Sequence, residues 1–375
     1  MCSNSQNLLL KKPRKANITF LRTIEDALLY LYFTATFMIK LWGLVPCLLL
    51  ISCLESRETK VQRFLIQSND MVKKQNLEQA ERFLLEALKI DSCFADAWNN
   101  LGTIYFDQRK YDQAIHYYDN AVRCNPTFFD GYFNRANAAF EANEHYRALK
   151  DLETLERNYA DTARVFFLKG LVLTRLRKFD DALHSLRKAF TLDKRNSEIL
   201  VNLGTVHYYK NEFDSATYYL NRSIEMNPNE ANAFNALAMV EVELKNYDRA
   251  LDLVNNALSK QSRDPYFLNN RGYIFLQSNQ MEKAIQDIDL SITLDPYNGW
   301  AYRNKGIYYL INKRYDDAIR LLLRAESSDP FIQDLYFYLG EAYHKSNNKA
   351  QACTYYAKAL ERREMSLQDF EGKCK

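Results

Sequence analysis

The sequence predicts an all-α protein built from nine stacked repeats, and three observations lead to that prediction. An alanine recurs at intervals of 34 residues without a gap, from Ala80 to Ala352. Within each unit the apolar residues are three and four positions apart, which is the spacing of one buried helix face. The 375 residues include only 10 glycines and 7 prolines, fewer than an all-β protein with many tight turns requires. The nine units run from 61–94 to 333–366.

Each unit is expected to form two helices joined by a short turn. When the recurring alanine is position 20, positions 4, 7, 8 and 11 lie on one helix face and positions 17, 20, 24 and 27 lie on another. Small residues at positions 8 and 20, such as Gly102 and Ala114, allow the two helices to approach closely, while a large residue at position 24, such as Tyr118, fills the space beside them. A proline at position 32, such as Pro126, ends the second helix.

This pattern resembles the tetratricopeptide repeat over 306 of the 375 residues. The resemblance implies a right-handed superhelical solenoid of nine 34-residue helix-turn-helix repeats, in which the first helices line a concave groove. Repeat 129–162 departs from the family pattern, because Arg135, Leu155 and Ala160 stand where the family prefers Leu, Ala and Pro. The periodicity alone indicates paired helices in a stacked array.

Residues 1–60 are predicted to be an export or anchor segment. Residues 27–54 are nearly all apolar and are long enough to cross a bilayer. However, Lys40 lies near their middle, and a charge at the centre of a spanning helix costs about 2.5–3.5 kcal/mol. A single membrane-spanning helix over these residues is therefore energetically unfavourable.

A second interpretation removes that difficulty by placing the true start of translation at Met38. Lys40 and the apolar residues after it then have the arrangement of a secretory signal peptide. Residues 50–53 resemble a bacterial lipobox, and that resemblance implies that Cys53 becomes the lipidated N-terminus. The alternative is an ordinary signal-anchor helix.

Both interpretations predict a membrane-anchored protein whose repeats lie outside the cytoplasm. Basic residues before the apolar segment hold that flank on the cytoplasmic side. In a bacterium the repeats would then be in the periplasm or at the outer membrane. In a eukaryote, an anchored repeat protein of this kind can face the cytosol.

The composition and motifs argue against nucleic-acid binding and against catalysis. Residues 61–375 contain 42 Lys or Arg and 43 Asp or Glu, so the repeats have no overall positive charge for a phosphate backbone. The sequence contains no Cys/His pattern with metal-ligand spacing and no glycine-rich phosphate loop. We therefore expect a non-enzyme without a cofactor or a metal.

The candidate binding residues are asparagines at position 6 of five repeats. In the family this position faces the concave groove, and an amide offers both a donor and an acceptor to the backbone of an extended peptide. The alternative is that these amides form local hydrogen bonds, and Leu168, Ala236 and Tyr338 interrupt the row. The predicted peptide-binding residues are Asn100, Asn134, Asn202, Asn270 and Asn304.

Two functions are consistent with this pattern. The first is a membrane-anchored scaffold that binds extended segments of partner proteins in its groove. The second is a structural assembly factor of a cell-envelope complex, which acts through its convex face and its C-terminal end. The tail 367–375 has room for two helical turns, so the apolar flank of repeat 333–366 is expected to be partly exposed, either as a frayed end or as a contact for a partner or a second copy.

Overall fold

The structure, a computed structural model, describes residues 56–158 and 162–374, and every regular element in those ranges is an α-helix. This confirms the predicted fold class. The helices follow one another in pairs: α1 (Arg57–Lys73), α2 (Leu77–Ile90), α3 (Ala95–Asp107), α4 (Tyr111–Cys124), α5 (Phe129–Glu141), α6 (His145–Asn158), α7 (Ala163–Arg175), α8 (Phe179–Leu192), α9 (Ser197–Tyr209), α10 (Phe213–Met226), α11 (Ala231–Glu243), α12 (Tyr247–Lys260), α13 (Pro265–Gln277), α14 (Met281–Leu294), α15 (Gly299–Ile311), α16 (Tyr315–Ser328), α17 (Leu335–Lys345), α18 (Lys349–Glu361) and α19 (Leu367–Cys374).

The predicted anchor segment 27–54, with Met38 and Cys53, lies outside the described residues, and so does Ala160. Among the helices of residues 56–158 and 162–374, none has both the length and the apolar character needed to cross a membrane.

The chain divides into two compact units, residues 1–97 and residues 98–375. In the described part of the first unit, α1 packs against α2. The hydroxyl of Ser56 accepts a hydrogen bond from the Thr59 backbone N–H at 3.0 Å and caps the start of α1. At the other end of the pair, the Nε of Arg57 donates to the carbonyl of Ile90 at 2.7 Å. Each of these bonds satisfies one of the backbone groups that a helix terminus leaves unpaired.

In the second unit the two helices of each repeat are in close contact, as the small residues at position 8 predict. A Cβ placed on Gly102 would lie 2.5 Å from the ring of Tyr118, and one on Gly340 would lie 2.4 Å from the ring of Tyr356. Atoms at that separation overlap, so these glycines are required by packing. The predicted pairing of a small residue at position 8 with a large one at position 24 is confirmed.

The turn within each repeat contains one residue in the left-handed region, always at position 15. Examples are Arg109, with φ 59°, and Arg177, with φ 57°. A left-handed conformation costs a residue with a Cβ about 1–2 kcal/mol relative to a right-handed one. The stacked helices on both sides of the turn compensate for this cost.

Arg135, which departs from the family pattern, forms an ion pair between the two helices of its repeat. Its guanidinium donates to both carboxylate oxygens of Asp151, at 2.6 and 2.8 Å, and to Asp119 at 2.8 Å. Repeat 265–298 has the same arrangement, since Arg271 donates to Asp287 at 2.6 and 2.9 Å. An arginine at position 7 is therefore matched by an aspartate at position 23, and the departure in the sequence is compensated in the structure.

The C-terminal tail forms the short helix α19, which covers the flank of the last repeat. Cys374 forms a disulfide with Cys353 of α18. Lys373 donates to Glu341 at 2.5 Å, and Glu341 also accepts from the hydroxyl of Tyr356 at 2.6 Å. Tyr356 is fully buried against Gly340 within its own repeat, whereas no residue of α19 is buried, so the tail covers this flank only in part.

Candidate peptide-binding groove

The predicted asparagines lie on the first helices of their repeats, and three of them pair with an asparagine of the preceding repeat. The Nδ2 of Asn134 donates to Oδ1 of Asn99 at 2.9 Å. Two further pairs, Asn270 to Asn235 at 3.0 Å and Asn304 to Asn269 at 2.8 Å, have the same geometry. In each pair a position-6 amide bonds to the position-5 amide 35 residues earlier. These bonds connect neighbouring first helices.

The other two asparagines have different surroundings. The Oδ1 of Asn100 accepts a long hydrogen bond from Asn99 at 3.4 Å. The Nδ2 of Asn202 donates to the carbonyl of Glu198 in its own helix at 2.9 Å. In the preceding repeat, Phe167 occupies position 5, so Asn202 has no amide partner at the place where Asn134 has one.

Most of these amides keep unused hydrogen-bonding capacity. An amide has two donors and an acceptor oxygen with two lone pairs. Asn134 uses one donor, and no described residue donates to its Oδ1. Asn134, Asn202 and Asn270 are half-buried, so a ligand can approach them. The local hydrogen bonds therefore leave room for a peptide backbone at these three positions.

Asn304 differs because it lies beneath other side chains. Asn304 and Asn269 are each only 1% exposed. The Oδ1 of Asn304 accepts from Nη1 of Arg303 at 2.9 Å, and Arg303 is itself 3% exposed. Asn304 is thus part of a buried polar cluster and does not line an open surface.

Arg303 lies among aromatic rings contributed by three successive repeats. Its Cζ is 4.8 Å from the ring centre of Tyr273, 5.2 Å from that of Tyr338 and 5.8 Å from that of Trp300. Its Nη2 is 3.5 Å from the carboxylate of Asp334, and no described residue accepts a hydrogen bond from its Nε. The rings exclude water and stabilise the guanidinium through cation–π contacts.

Carboxyl groups near Arg303 have raised pKa values. Burial raises the pKa of Asp334, and Arg303 opposes that effect only in part. Burial and the charge of Asp334 raise the pKa of Glu243, which accepts a hydrogen bond from the hydroxyl of Tyr208 at 3.1 Å. Sequence reasoning did not identify this cluster, because its members come from different repeats and share no motif.

Aromatic residues also line the first helices nearer the N-terminus. The guanidinium of Arg164 lies 4.7 Å from the ring centre of Phe129 and 4.6 Å from that of Phe133, and it pairs with Asp130 at 2.9 Å. The side chain of Arg164 is 53% exposed. The rings of Phe129 and Phe133 therefore pack against Arg164 of the following repeat.

Family models for the tetratricopeptide repeat match residues 95–128 and the overlapping ranges 133–193, 167–231, 201–265, 235–299 and 303–364. In sequence, the chain is 27% identical over 133 residues to Hsp70-Hsp90 organizing protein 3 of Arabidopsis thaliana, a match that covers 35% of this chain and 23% of that protein. It is 30% identical over 100 residues to anaphase-promoting complex subunit 3 of Schizosaccharomyces pombe, covering 27% of this chain and 15% of that protein. The chain therefore matches less than a quarter of the length of these relatives.

Two solved structures share the fold at low sequence identity. The crystal structure of the APC/C hetero-tetramer Cut9-Hcn1 has a TM-score of 0.57 at 16% identity, covering 83% of this chain and 62% of the other. The human IFIT1 dimer with m7Gppp-AAAA has a TM-score of 0.57 at 17% identity, covering 84% and 79%. Together with the family matches over most of the described residues, the paired helices show that this chain belongs to the tetratricopeptide repeat family.

Proposed function

We propose that this protein is a non-catalytic scaffold that binds extended peptide segments of partner proteins in the groove lined by its first helices. Proteins with these repeats serve as interaction scaffolds and are generally non-catalytic. The observation that carries the proposal is the set of half-buried amides on the first helices, Asn134, Asn202 and Asn270, each with hydrogen-bonding capacity left over. Such amides can bond to a peptide backbone whatever its side chains.

The proposal is tested by selecting random dodecapeptides displayed on phage against the full chain and measuring the affinity of those selected. The triple variant Asn134→Ala, Asn202→Ala, Asn270→Ala should weaken binding by about tenfold or more, since several charge-neutral hydrogen bonds are lost at once. A matched control is Asn256→Ala. Asn256 lies on the second helix α12 and donates to the carbonyl of Asp252 at 2.9 Å, the same bond that Asn202 makes.

Unchanged affinity in the triple variant would contradict groove binding through these amides. If partner capture instead survives the triple variant and is lost on deleting residues 333–375, the assembly function through the C-terminal end is favoured. Failure to select any peptide would contradict the scaffold function proposed for the groove.

We further propose that residues 1–60 anchor the protein to a membrane with its repeats outside the cytoplasm, and that Cys53 carries a lipid. The disulfide between Cys353 and Cys374 supports this location, because disulfides persist in oxidising compartments. Metabolic labelling with a fatty-acid probe should mark the wild-type protein and not the Cys53→Ala variant. Equal labelling of both would contradict the lipid anchor.

A further inference from the structure

Two arginines at the end of α7 and in the turn after it lack carboxylate partners. Arg175 is the last residue of α7, and Arg177 is the left-handed residue of the turn. Both are exposed and lie near aromatic rings: Arg175 Cζ is 6.0 Å from the ring centre of Phe140, and Arg177 Cζ is 5.3 Å from that of Phe179. Neither guanidinium forms an ion pair with a carboxylate of the described residues.

The ring of Phe331, in the connection between α16 and α17, approaches the same turn. Its centre is 5.9 Å from Cζ of Arg177, although the two residues lie in the fourth and eighth repeats of the chain. On the other side, Phe179 stacks on Tyr209 with ring centres 5.9 Å apart. These residues and the nearby Tyr266 form what we call the arginine–aromatic patch: Arg175, Arg177, Phe179, Tyr209, Tyr266 and Phe331.

Three rings of the patch are exposed to an unusual degree. Tyr209 is 40% exposed, Tyr266 is 51% exposed and Phe331 is 54% exposed. Burial raises the pKa of both tyrosine hydroxyls, and the charge of Arg175 opposes that rise at each of them. The rings are therefore accessible to a ligand and lie within the electrostatic reach of a guanidinium.

The carboxylates around the patch bond to groups other than Arg175 and Arg177. Asp180 pairs with Lys210 at 2.8 Å. Asp329 accepts a hydrogen bond from the backbone N–H of Phe331 at 2.7 Å, and Asp295 accepts one from the hydroxyl of Tyr266 at 3.3 Å. Asp329 and Asp295 keep their negative charge near the tyrosines of the patch, but neither pairs with Arg175 or Arg177, so both guanidinium groups retain N–H donors for a carboxylate of a ligand.

A carboxylate is a better partner for these guanidinium groups than an exposed ring. It can accept two parallel charge-assisted hydrogen bonds from one arginine, whereas a cation–π contact at an exposed site is weaker. We propose that the arginine–aromatic patch binds an acidic extended segment of a partner protein, with its carboxylates on Arg175 and Arg177 and its apolar side chains on Tyr209, Tyr266 and Phe331. This proposal rests on the peptide-binding function proposed above, and it specifies the chemistry of the peptide.

The test is a fluorescence-polarisation titration of the full chain with a labelled decapeptide of alternating glutamate and phenylalanine. Decapeptides of alternating lysine and phenylalanine, and of alternating glutamate and serine, are the comparison probes. We expect the glutamate–phenylalanine peptide to bind most tightly. The double variant Arg175→Gln, Arg177→Gln should weaken that binding about tenfold or more, and raising the salt concentration should also weaken it.

The matched control is the double variant Lys194→Gln, Arg195→Gln, which removes the same charge from two exposed residues in the connection that follows α8. Its affinity should equal that of the wild type. Equal weakening in both double variants, equal binding of the lysine–phenylalanine peptide, or no binding of the glutamate–phenylalanine peptide would overturn the proposal. If phage-selected peptides still depend on Asn134, Asn202 and Asn270 in that case, the scaffold function stands and only the patch is wrong.

Discussion

Two of the three asparagine pairs along the first helices have opposite surroundings. Asn99 and Asn134 bond at 2.9 Å, and Asn269 and Asn304 bond at 2.8 Å. Asn134 is half-buried, whereas Asn304 is 1% exposed. The hydrogen bond itself is thus equivalent at both places, and the difference lies in what covers it.

Side chains of the two repeats that form each pair decide how deeply the pair is buried. At position 9 of the earlier repeat, the first pair has the exposed Thr103, and the second pair has the large ring of Tyr273. At position 5 of the later repeat, the first pair has Phe133, and the second has Arg303, whose guanidinium is held between Tyr273 and Tyr338. An identical polar pair is therefore available to a ligand near the N-terminus and structural near the C-terminus.

The largest loss of stability in this comparison is expected when the buried guanidinium of Arg303 is removed. Arg303→Ala leaves Asp334 and Asn304 without their partner and creates a cavity between rings, so we expect a loss of about 3–5 kcal/mol in the free energy of unfolding. Arg164→Ala, the matched change at an exposed arginine, should cost less than about 1 kcal/mol. Urea denaturation measures both, and equal losses would contradict the comparison.

Removal of the disulfide should cause the second-largest loss of stability. Cys353 and Cys374 are 21 residues apart, and their disulfide fastens α19 to α18. Replacing both with Ser should destabilise the C-terminal repeat by about 2–4 kcal/mol, because the unfolded chain regains freedom. Hydrogen exchange should quicken in α17 to α19 and remain unchanged in α5 to α8. Faster exchange in α5 to α8 as well would contradict a stabilising effect of the disulfide that is limited to the C-terminal repeat.

Alanine substitutions in the two asparagine pairs should differ in their cost to stability, by a smaller amount. Asn304→Ala leaves the buried Oδ1 of Asn269 and a donor of Arg303 unsatisfied, at a cost of about 1–3 kcal/mol. Asn134→Ala leaves the Oδ1 of Asn99, which is 9% exposed against 1% for Asn269, so it should cost less, about 1 kcal/mol. Paired urea titrations give the difference, and a larger cost at Asn134 would reverse our interpretation of the two sites.

The smallest effect is a pH dependence of stability that comes mainly from the last repeat. Glu364 accepts hydrogen bonds from the backbone N–H groups of Tyr336 and Phe337 at 3.0 and 3.1 Å, yet burial raises its pKa to about 7, with Asp334 adding to the rise and Arg362 opposing it. An unfolded Glu titrates near pH 4.3, so the folded state binds the extra proton between these values. Stability should therefore fall by about 1–2 kcal/mol as the pH rises from about 5 to 8.

Glu364→Gln is the control for that pH dependence, because glutamine cannot lose a proton. The slope of stability against pH should flatten in this variant. Asp334 and Glu243 also have raised pKa values and contribute with the same sign, so part of the slope should remain. An unchanged slope would show that Glu364 does not titrate in this range.

The sequence was sufficient to predict the fold, because each repeat contacts mainly its neighbours. The alanine at position 20 and the glycine at position 8 directly indicate that two helices approach closely. The contact between Gly102 and the ring of Tyr118 confirms that approach. The sequence did not predict the disulfide of the C-terminal tail, since nothing in the spacing of Cys353 and Cys374 indicates that a two-turn helix folds back onto the last repeat.

For the candidate site, the sequence determined which positions lie on the first helices, and it placed all five asparagines there. Only the tertiary structure decided which of them a ligand could reach. The helical period is a local property, whereas burial depends on side chains contributed by other repeats, as Tyr273 and Tyr338 show at Arg303. The approach of Phe331 to Arg177 was likewise decided by the path of the stacked repeats, which brings residues distant in sequence within one patch.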